Sequence, residues 1–131
     1  MKNIILLCTL LLSVVFYAQK PFIGVWAMDA KKKITLPAKG SFSYTYQKVG
    51  SPSIKGAGKG SGTTTISLTA KGNYLISITP KSKFAFDYGD YFLADAIRSQ
   101  FKELKQWGSI QWNNDLSGVF AYCYNLKNHG Y

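Results

Sequence analysis

The side chains able to do chemistry are few, and their spacing makes them poor partners. The chain carries six carboxylates (Asp29, Asp87, Asp90, Asp95, Glu103 and Asp115), one histidine, His129, two cysteines, Cys8 and Cys123, and one arginine, Arg98. Glycosidic hydrolysis needs two carboxyl groups held about 5–10 Å apart, and nothing in this spacing selects a pair. A structural zinc site takes four protein ligands, more than one histidine and one cysteine supply once the leader described below is removed. Serines are numerous, but none stands in Gly-x-Ser-x-Gly. His129, in the tail Asn128-His129-Gly130-Tyr131, is the only imidazole able to serve them or Cys123 as a base. The reading is of a non-enzyme: no catalytic, cofactor-binding or metal-ligating residue is assigned, and no cofactor is expected.

The elements that would position any site begin after a leader. Met1-Lys2-Asn3 is a short basic start, Ile4 to Val15 is apolar apart from Cys8, Thr9 and Ser13, and Phe16-Tyr17-Ala18 precedes Gln19. This order is that of a cleavable export signal over residues 1–18. Its apolar run of about a dozen residues is short of the ~20 that span a membrane, so no integral span is expected after its removal. Leu7 before Cys8 is not small and the run continues beyond it, which reads as an ordinary cysteine of the signal core rather than a lipidation site. Cys123 is then the only thiol, so no intrachain disulfide forms, and a lone thiol of this kind is more often a small buried hydrophobe.

From Gln19 the chain reads mostly as strands. Phe22 to Met28 is apolar and β-rich, Ile34-Thr35-Leu36 is ended by Pro37, and Ser41 to Val49 alternates with Phe42, Tyr44 and Tyr46 on one face. Thr63 to Thr69 alternates with Ile66 and Leu68 inward; after the turn Ala70-Lys71-Gly72-Asn73, the residues Tyr74, Ile76 and Ile78 resume the pattern. Phe84, Phe86 and Tyr88 make one more strand. Short alternating strands with Gly and Pro between them predict a mainly β fold, an antiparallel β-sandwich. The period then changes. Leu93, Ile97, Phe101 and Leu104 predict one helix from Asp90 to about Lys105, with Asp95, Arg98, Lys102 and Lys105 outside. Ile110 with Trp112 reads as a short strand, and Asp115 as the cap of a shorter helix carrying Leu116, Val119 and Phe120.

Charge and aromatics each admit two readings. The formal charge is +10 at pH 7, carried mostly by Lys31, Lys32, Lys33, Lys48, Lys55, Lys59, Lys71, Lys81 and Lys83 in turns and at strand ends. Such lysines blunt edge strands and solubilise a surface, or attract anionic polymers such as acidic glycans, lipopolysaccharide or extracellular DNA. Lysine in place of arginine argues against bidentate phosphate recognition, hence against a specific nucleic-acid reader. Phe42, Tyr44 and Tyr46, or Trp107 with Trp112, could stack on sugars, although period-two placement favours core for the first set and a junction seal for the tryptophans.

The residues then carry a resemblance. Phe22 to Trp26, Ile34-Thr35-Leu36-Pro37, Gly72-Asn73-Tyr74, Ile78-Thr79-Pro80, Gln106-Trp107-Gly108 with Trp112, and Phe120, Cys123 and Leu126 together resemble the N-terminal part of BspA-type leucine-rich-repeat surface proteins of bacteria such as the Bacteroidetes. The most specific segment is Gln-Trp-Gly-x-x-x-Trp. The resemblance implies a PKD/Ig-like lead-in sandwich followed by the start of a repeat array, and attachment or adhesion to protein or glycan surfaces. One departure is local: where many members carry a Trp-Gly-Asp-Gly turn, this chain has Val49 to Gly62, rich in Gly, Ser and Lys.

Four segments are expected: a signal peptide (1–18), a lead-in β-sandwich (19–89), a helix and tryptophan junction (90–112), and an incomplete first repeat (113–131). A single repeat cannot bury its own apolar face, and arrays need roughly three or more units. Leu116, Val119, Phe120 and Leu126 are thus expected to be exposed or poorly ordered unless they fold back on the lead-in domain. The leading functional expectation is an exported, non-catalytic surface or secreted protein, the lead-in part of a repeat-containing adhesion protein. The alternative is a small secreted module binding carbohydrate or anions.

Overall fold

Period-two alternation becomes strand over Phe22–Ala27, Ser41–Lys48 and Asn73–Pro80, because alternate side chains then share one buried face. The computed structural model describes residues 19–28 and 32–128; the leader, Asp29, Lys31 and His129 lie outside them. The chain is mainly β and its sheets are antiparallel but for one short edge pairing. The strands are β1 (Phe22–Ala27), β2 (Lys33–Leu36), β3 (Ala38–Lys39), β4 (Ser41–Lys48), β5 (Ser51–Ser61), β6 (Thr64–Ser67), β7 (Asn73–Pro80), β8 (Ala85–Phe86), β9 (Phe101–Gln106) and β10 (Lys127–Asn128). A six-stranded sheet runs β10-β9-β1-β7-β4-β5, and two ribbons pair β2 with β6 and β3 with β8. The inner face of the large sheet (Phe22, Trp26, Phe42, Tyr74, Ile76, Ile78, Phe101, Leu104) and the ribbons (Ile34, Leu36, Ala38, Ile66, Phe86) bury into one cluster.

The expected helix from Asp90 to Lys105 is replaced by a short helix, α1 (Asp95–Arg98), and by β9. The reason lies in two bulges. Along β1, Trp26 faces Phe101, Val25 faces Glu103, Gly24 faces Leu104 and Ile23 faces Gln106, with register shifts at both odd steps. Lys102 and Lys105 are therefore the extra residues, and each bulge lengthens the spacing of inward side chains from two to three. Phe101 and Leu104 are both buried as a result, and Trp107 follows three residues later against Phe22, ring centroids 6.1 Å apart. A doubly bulged strand thus imitates the spacing of a helical stripe.

Gly24 makes this junction possible. A Cβ built there would lie 2.7 Å from a Trp26 ring carbon and 2.9 Å from one of Phe101, whose rings stack at 4.5 Å and 10°. The Gln106-Trp107-Gly108 segment clamps the chain's first described residues. Gln106 Nε2 donates to the Pro21 carbonyl at 2.9 Å, Ser109 N donates to the Lys20 carbonyl at 3.0 Å, and Lys20 N donates to Ser109 Oγ at 2.7 Å. Gly108, at φ +74, presses against the Pro21 and Lys20 carbonyls where no side chain fits.

Val49 to Gly62, where the sequence pattern assigns no further strand, holds the eleven-residue strand β5. Its Gly56, Gly58 and Gly60 face Tyr46, Tyr44 and Phe42 across the ladder. Each ring lies over its glycine, so that a Cβ at Gly56 or Gly58 would meet the tyrosine hydroxyl. Glycine costs strand stability when nothing covers it, and a cross-strand aromatic restores the lost packing.

Beyond Gln106 the chain wraps back onto the core in turns, and the expected helix over Leu116, Val119 and Phe120 is absent. Ile110 and Trp112 form no strand beyond a single bridge from Trp112 to Phe84. Val119, Phe120, Cys123 and Leu126 are half-buried against the core, while Leu116 stays 40% exposed. Substituting Gly108→Ala should lower stability by at least about 2 kcal/mol, from a disfavoured positive φ plus overpacking on backbone. Urea unfolding measures this, and an unchanged midpoint would contradict the close approach.

Candidate binding face

The groups with the strongest chemistry are used inside the fold. Arg98, expected outside, is 8% exposed. Its Nε donates to the Tyr88 carbonyl at 3.0 Å, one terminal nitrogen to the Asp90 carbonyl at 2.6 Å, and the other to Asp95 Oδ1 at 2.9 Å. The guanidinium also stands 5.2 Å from the centre of the Tyr122 ring. The one arginine therefore ties the 88–95 loop to the returning C-terminal segment. Gln100, also buried, plays the strand partner to β2: its amide accepts from Thr35 N at 3.1 Å and donates to the Lys33 carbonyl at 2.8 Å. These bonds explain why α1 stops at Arg98. Extending it would remove Gln100 from β2 and Phe101 from Trp26.

Each described acid has a local task. Asp87 pairs with Lys39 at 3.7 Å, Asp95 with Arg98 at 2.9 Å and Glu103 with Lys105 at 2.9 Å. Asp90 Oδ1 accepts from Phe92 N, and Asp115 Oδ1 accepts from both Ser117 N and its hydroxyl, which holds the Asp115 carboxyl below its ordinary range. Among the described residues no group of three His, Cys, Asp or Glu is placed to hold a metal ion, and no helix is long and apolar enough to cross a membrane. Tyr88 is fully buried and accepts a 2.9 Å hydrogen bond from Trp26 Nε1; burial drives its phenol far above the usual value. Burial likewise pushes the Cys123 thiol up to about 12, against a smaller opposing pull from Arg98. A thiol held so fully protonated is a poor nucleophile at neutral pH.

Phe42 is buried and Tyr44 and Tyr46 half-buried on the inner face, and Trp107 and Trp112 meet edge to face at 5.6 Å around Phe22. None of these rings forms a platform on the outer sheet face.

What the fold leaves open is that outer face. Ladder register sets its side chains in rows: Lys59, Ser43 and Thr79; then Ala57, Thr45, Ser77 and Ile23; then Lys55, Gln47, Leu75, Val25, Glu103 and Lys127. Small residues in the middle rows hollow the surface between longer ones. A hollow of about 610 Å³ lies over Ser43, Thr45, Ala57, Lys59, Ser77 and Thr79. A second of about 470 Å³ shares Thr45, Ala57 and Ser77 with it. A third of about 380 Å³ shares Gln47 and Leu75 with the second and reaches Glu103 and Lys105. The three share lining residues along one open trough, more apolar than polar in its lining but carrying the hydroxyls of Ser43, Thr45, Ser77 and Thr79, with Lys55 and Lys59 on one side and Lys105 on the other.

The lysine and hydroxyl side chains of the trough are visible in the sequence, but their assembly depends on β5, a strand that the sequence pattern does not assign. The period-two glycines 56, 58 and 60, matched to the period-two aromatics 46, 44 and 42, are the signal that identifies the strand. A second exposed feature also went unread: Tyr91 and Phe92, 88% and 90% exposed, stand edge to face on the loop held by Arg98.

Set against known protein families, curated proteins and solved structures, the chain finds no match.

Protonated Tyr88 and Cys123 favour the folded state, since both pKa values rise on folding. For the thiol this contribution is complete below its ordinary value of 9.0 and is lost as pH climbs from there toward about 12. Urea-derived stability should therefore hold level through neutral pH and fall above pH ~9. The native thiol should also react with a disulfide reagent at pH ~8 at least about tenfold more slowly than the unfolded chain. Equal rates in the two states would refute the burial of Cys123.

Proposed function

We propose that the protein is an exported, non-catalytic binding module of the cell surface or secreted space, a PKD/Ig-like sandwich serving as the lead-in domain of a repeat-containing adhesion protein. The observation that carries the binding role is the outer trough. The arginine, the thiol, the buried tyrosine and most of the aromatic rings are engaged in the core, while hydroxyl rows framed by lysines are left facing solvent. The export assignment rests on the leader sequence. The lead-in assignment rests on the resemblance of Phe22 to Leu126 to such proteins, and the seating of Phe120, Cys123 and Leu126 against the core supports it, because a first repeat packs its apolar face on the domain before it.

The trough favours an acidic glycan as ligand. Ser43, Thr45, Ser77 and Thr79 present donors and acceptors suited to sugar hydroxyls, and the lysines attract carboxylates without demanding a fixed bidentate geometry. Binding should weaken steeply with salt, since exposed charges are screened beyond about 10 Å at 0.1 M ionic strength. Titration with a polyuronate at low salt tests this. Thr45→Glu sets a carboxylate in the middle of the trough and should reduce affinity at least about tenfold. Polyuronate binding that ignores this substitution, or no binding at low salt, would eliminate the glycan reading.

A further inference from the structure

The end strand of the large sheet is built to accept another strand. β5 is the last strand in the sheet order, and among the described residues no strand pairs with its far edge. It is eleven residues long, and its backbone is already extended, so a partner would meet a preformed row of N–H and C=O groups. Such an edge left bare invites pairing with any chain, including a second copy of this one.

The side chains decide which chain it accepts. On the outer face Lys55, Ala57 and Lys59 alternate, all three exposed, and among the described residues neither lysine belongs to an ion pair. If two copies paired antiparallel through β5, the registers with most overlap would set Lys55 and Lys59 opposite or diagonal to the same lysines of the other copy. Like charges at those positions are destabilising, so the edge rejects itself. The lysines that repel a second copy are matched by a strand carrying carboxylates four residues apart.

The inner face adds a second requirement. Gly56 and Gly58 have no side chains, and the Tyr46 and Tyr44 rings lie across them with their hydroxyls over the glycines. An added strand would therefore meet two phenolic hydroxyls, one opposite each glycine, instead of an aliphatic wall. Hydroxyls of this kind donate to side-chain carbonyl oxygens. The matching sequence is an acid, an amide, a small residue, an amide and an acid, in extended conformation.

We propose that the free edge of β5 binds an extended acidic segment of a partner protein as an added antiparallel strand, with carboxylates opposite Lys55 and Lys59 and amides meeting Tyr44 and Tyr46. This shares Lys55 and Lys59 with the glycan reading but rests on the backbone edge, so the response to N-methylation of the ligand tells the two apart.

The probe is a synthetic nine-residue peptide with the central sequence Glu-Asn-Val-Asn-Glu, titrated into the full chain. Binding should slow amide hydrogen exchange in β5 selectively. It should fall at least about tenfold when alternate peptide nitrogens are methylated, which removes strand pairing and leaves charge intact. The double variant K55E/K59E should lose the peptide yet bind its Lys-Asn-Val-Asn-Lys counterpart; that rescue separates altered specificity from a misfolded variant. Three results would overturn the proposal: no binding at low salt, binding indifferent to N-methylation, or wild-type chain that self-associates through β5 in sedimentation.

Discussion

Phe22 is the side chain on which the remaining structure depends. Its ring is fully buried and lies within 6.4 Å, centre to centre, of Trp26, Phe86, Phe101, Trp107, Trp112 and Phe120. Those six belong to the first strand, the second ribbon, the bulged strand, the tryptophan junction and the C-terminal segment. Aromatic pairs contribute about 0.5–1.5 kcal/mol each beyond the area they bury, so one ring couples these five parts of the chain to one another. Gly24 and Gly108 serve the same convergence, the first by letting Trp26 and Phe101 stack, the second by letting the start of the chain approach the junction.

The concentration of rings on one side of the sheet determines what the other side can be. An aromatic set at alternate positions empties the opposite face of large side chains, and serines, threonines and one alanine fill the middle rows. The same division shapes β5. Its inward positions 56, 58 and 60 are glycine because Tyr46, Tyr44 and Phe42 of β4 already occupy that space, and its outward positions carry the lysines. Trough and edge are thus two consequences of one packing arrangement, and both face solvent on a frame fixed by the core.

Much of the fold was legible wherever period two was undisturbed: β1, β2, β4, β6 and β7 lie within or close to the ranges expected from their alternation. The elements expected after Trp107 did not form, because that segment packs as turns against the core, and two strands were hidden for separate physical reasons. In β9 the bulges at Lys102 and Lys105 stretch the inward spacing to three, and a local pattern does not distinguish that from a helix. In β5 the inward positions are glycines and not apolar side chains, so no strand is assigned there until the rings opposite them are known. Arg98 was hidden likewise, since burial of a guanidinium depends on carbonyls that only the folded 88–95 loop supplies. The candidate face was therefore legible as residue types but not as a surface.

The segment after Trp112 is where sequence resemblance and packing meet. Phe120, resembling the first position of a repeat, sits against Phe22, Phe86, Tyr88, Phe101 and Trp107 with centroids 5.4 to 6.4 Å apart, and thereby closes the core that Phe22 organises. The central claim is that this segment is part of the domain's core and not an appendage of it. Equilibrium urea unfolding of Phe120→Ala tests it most directly. A loss of about 2–4 kcal/mol in a single cooperative transition is the predicted result, and a stability equal to that of the unaltered chain would contradict it.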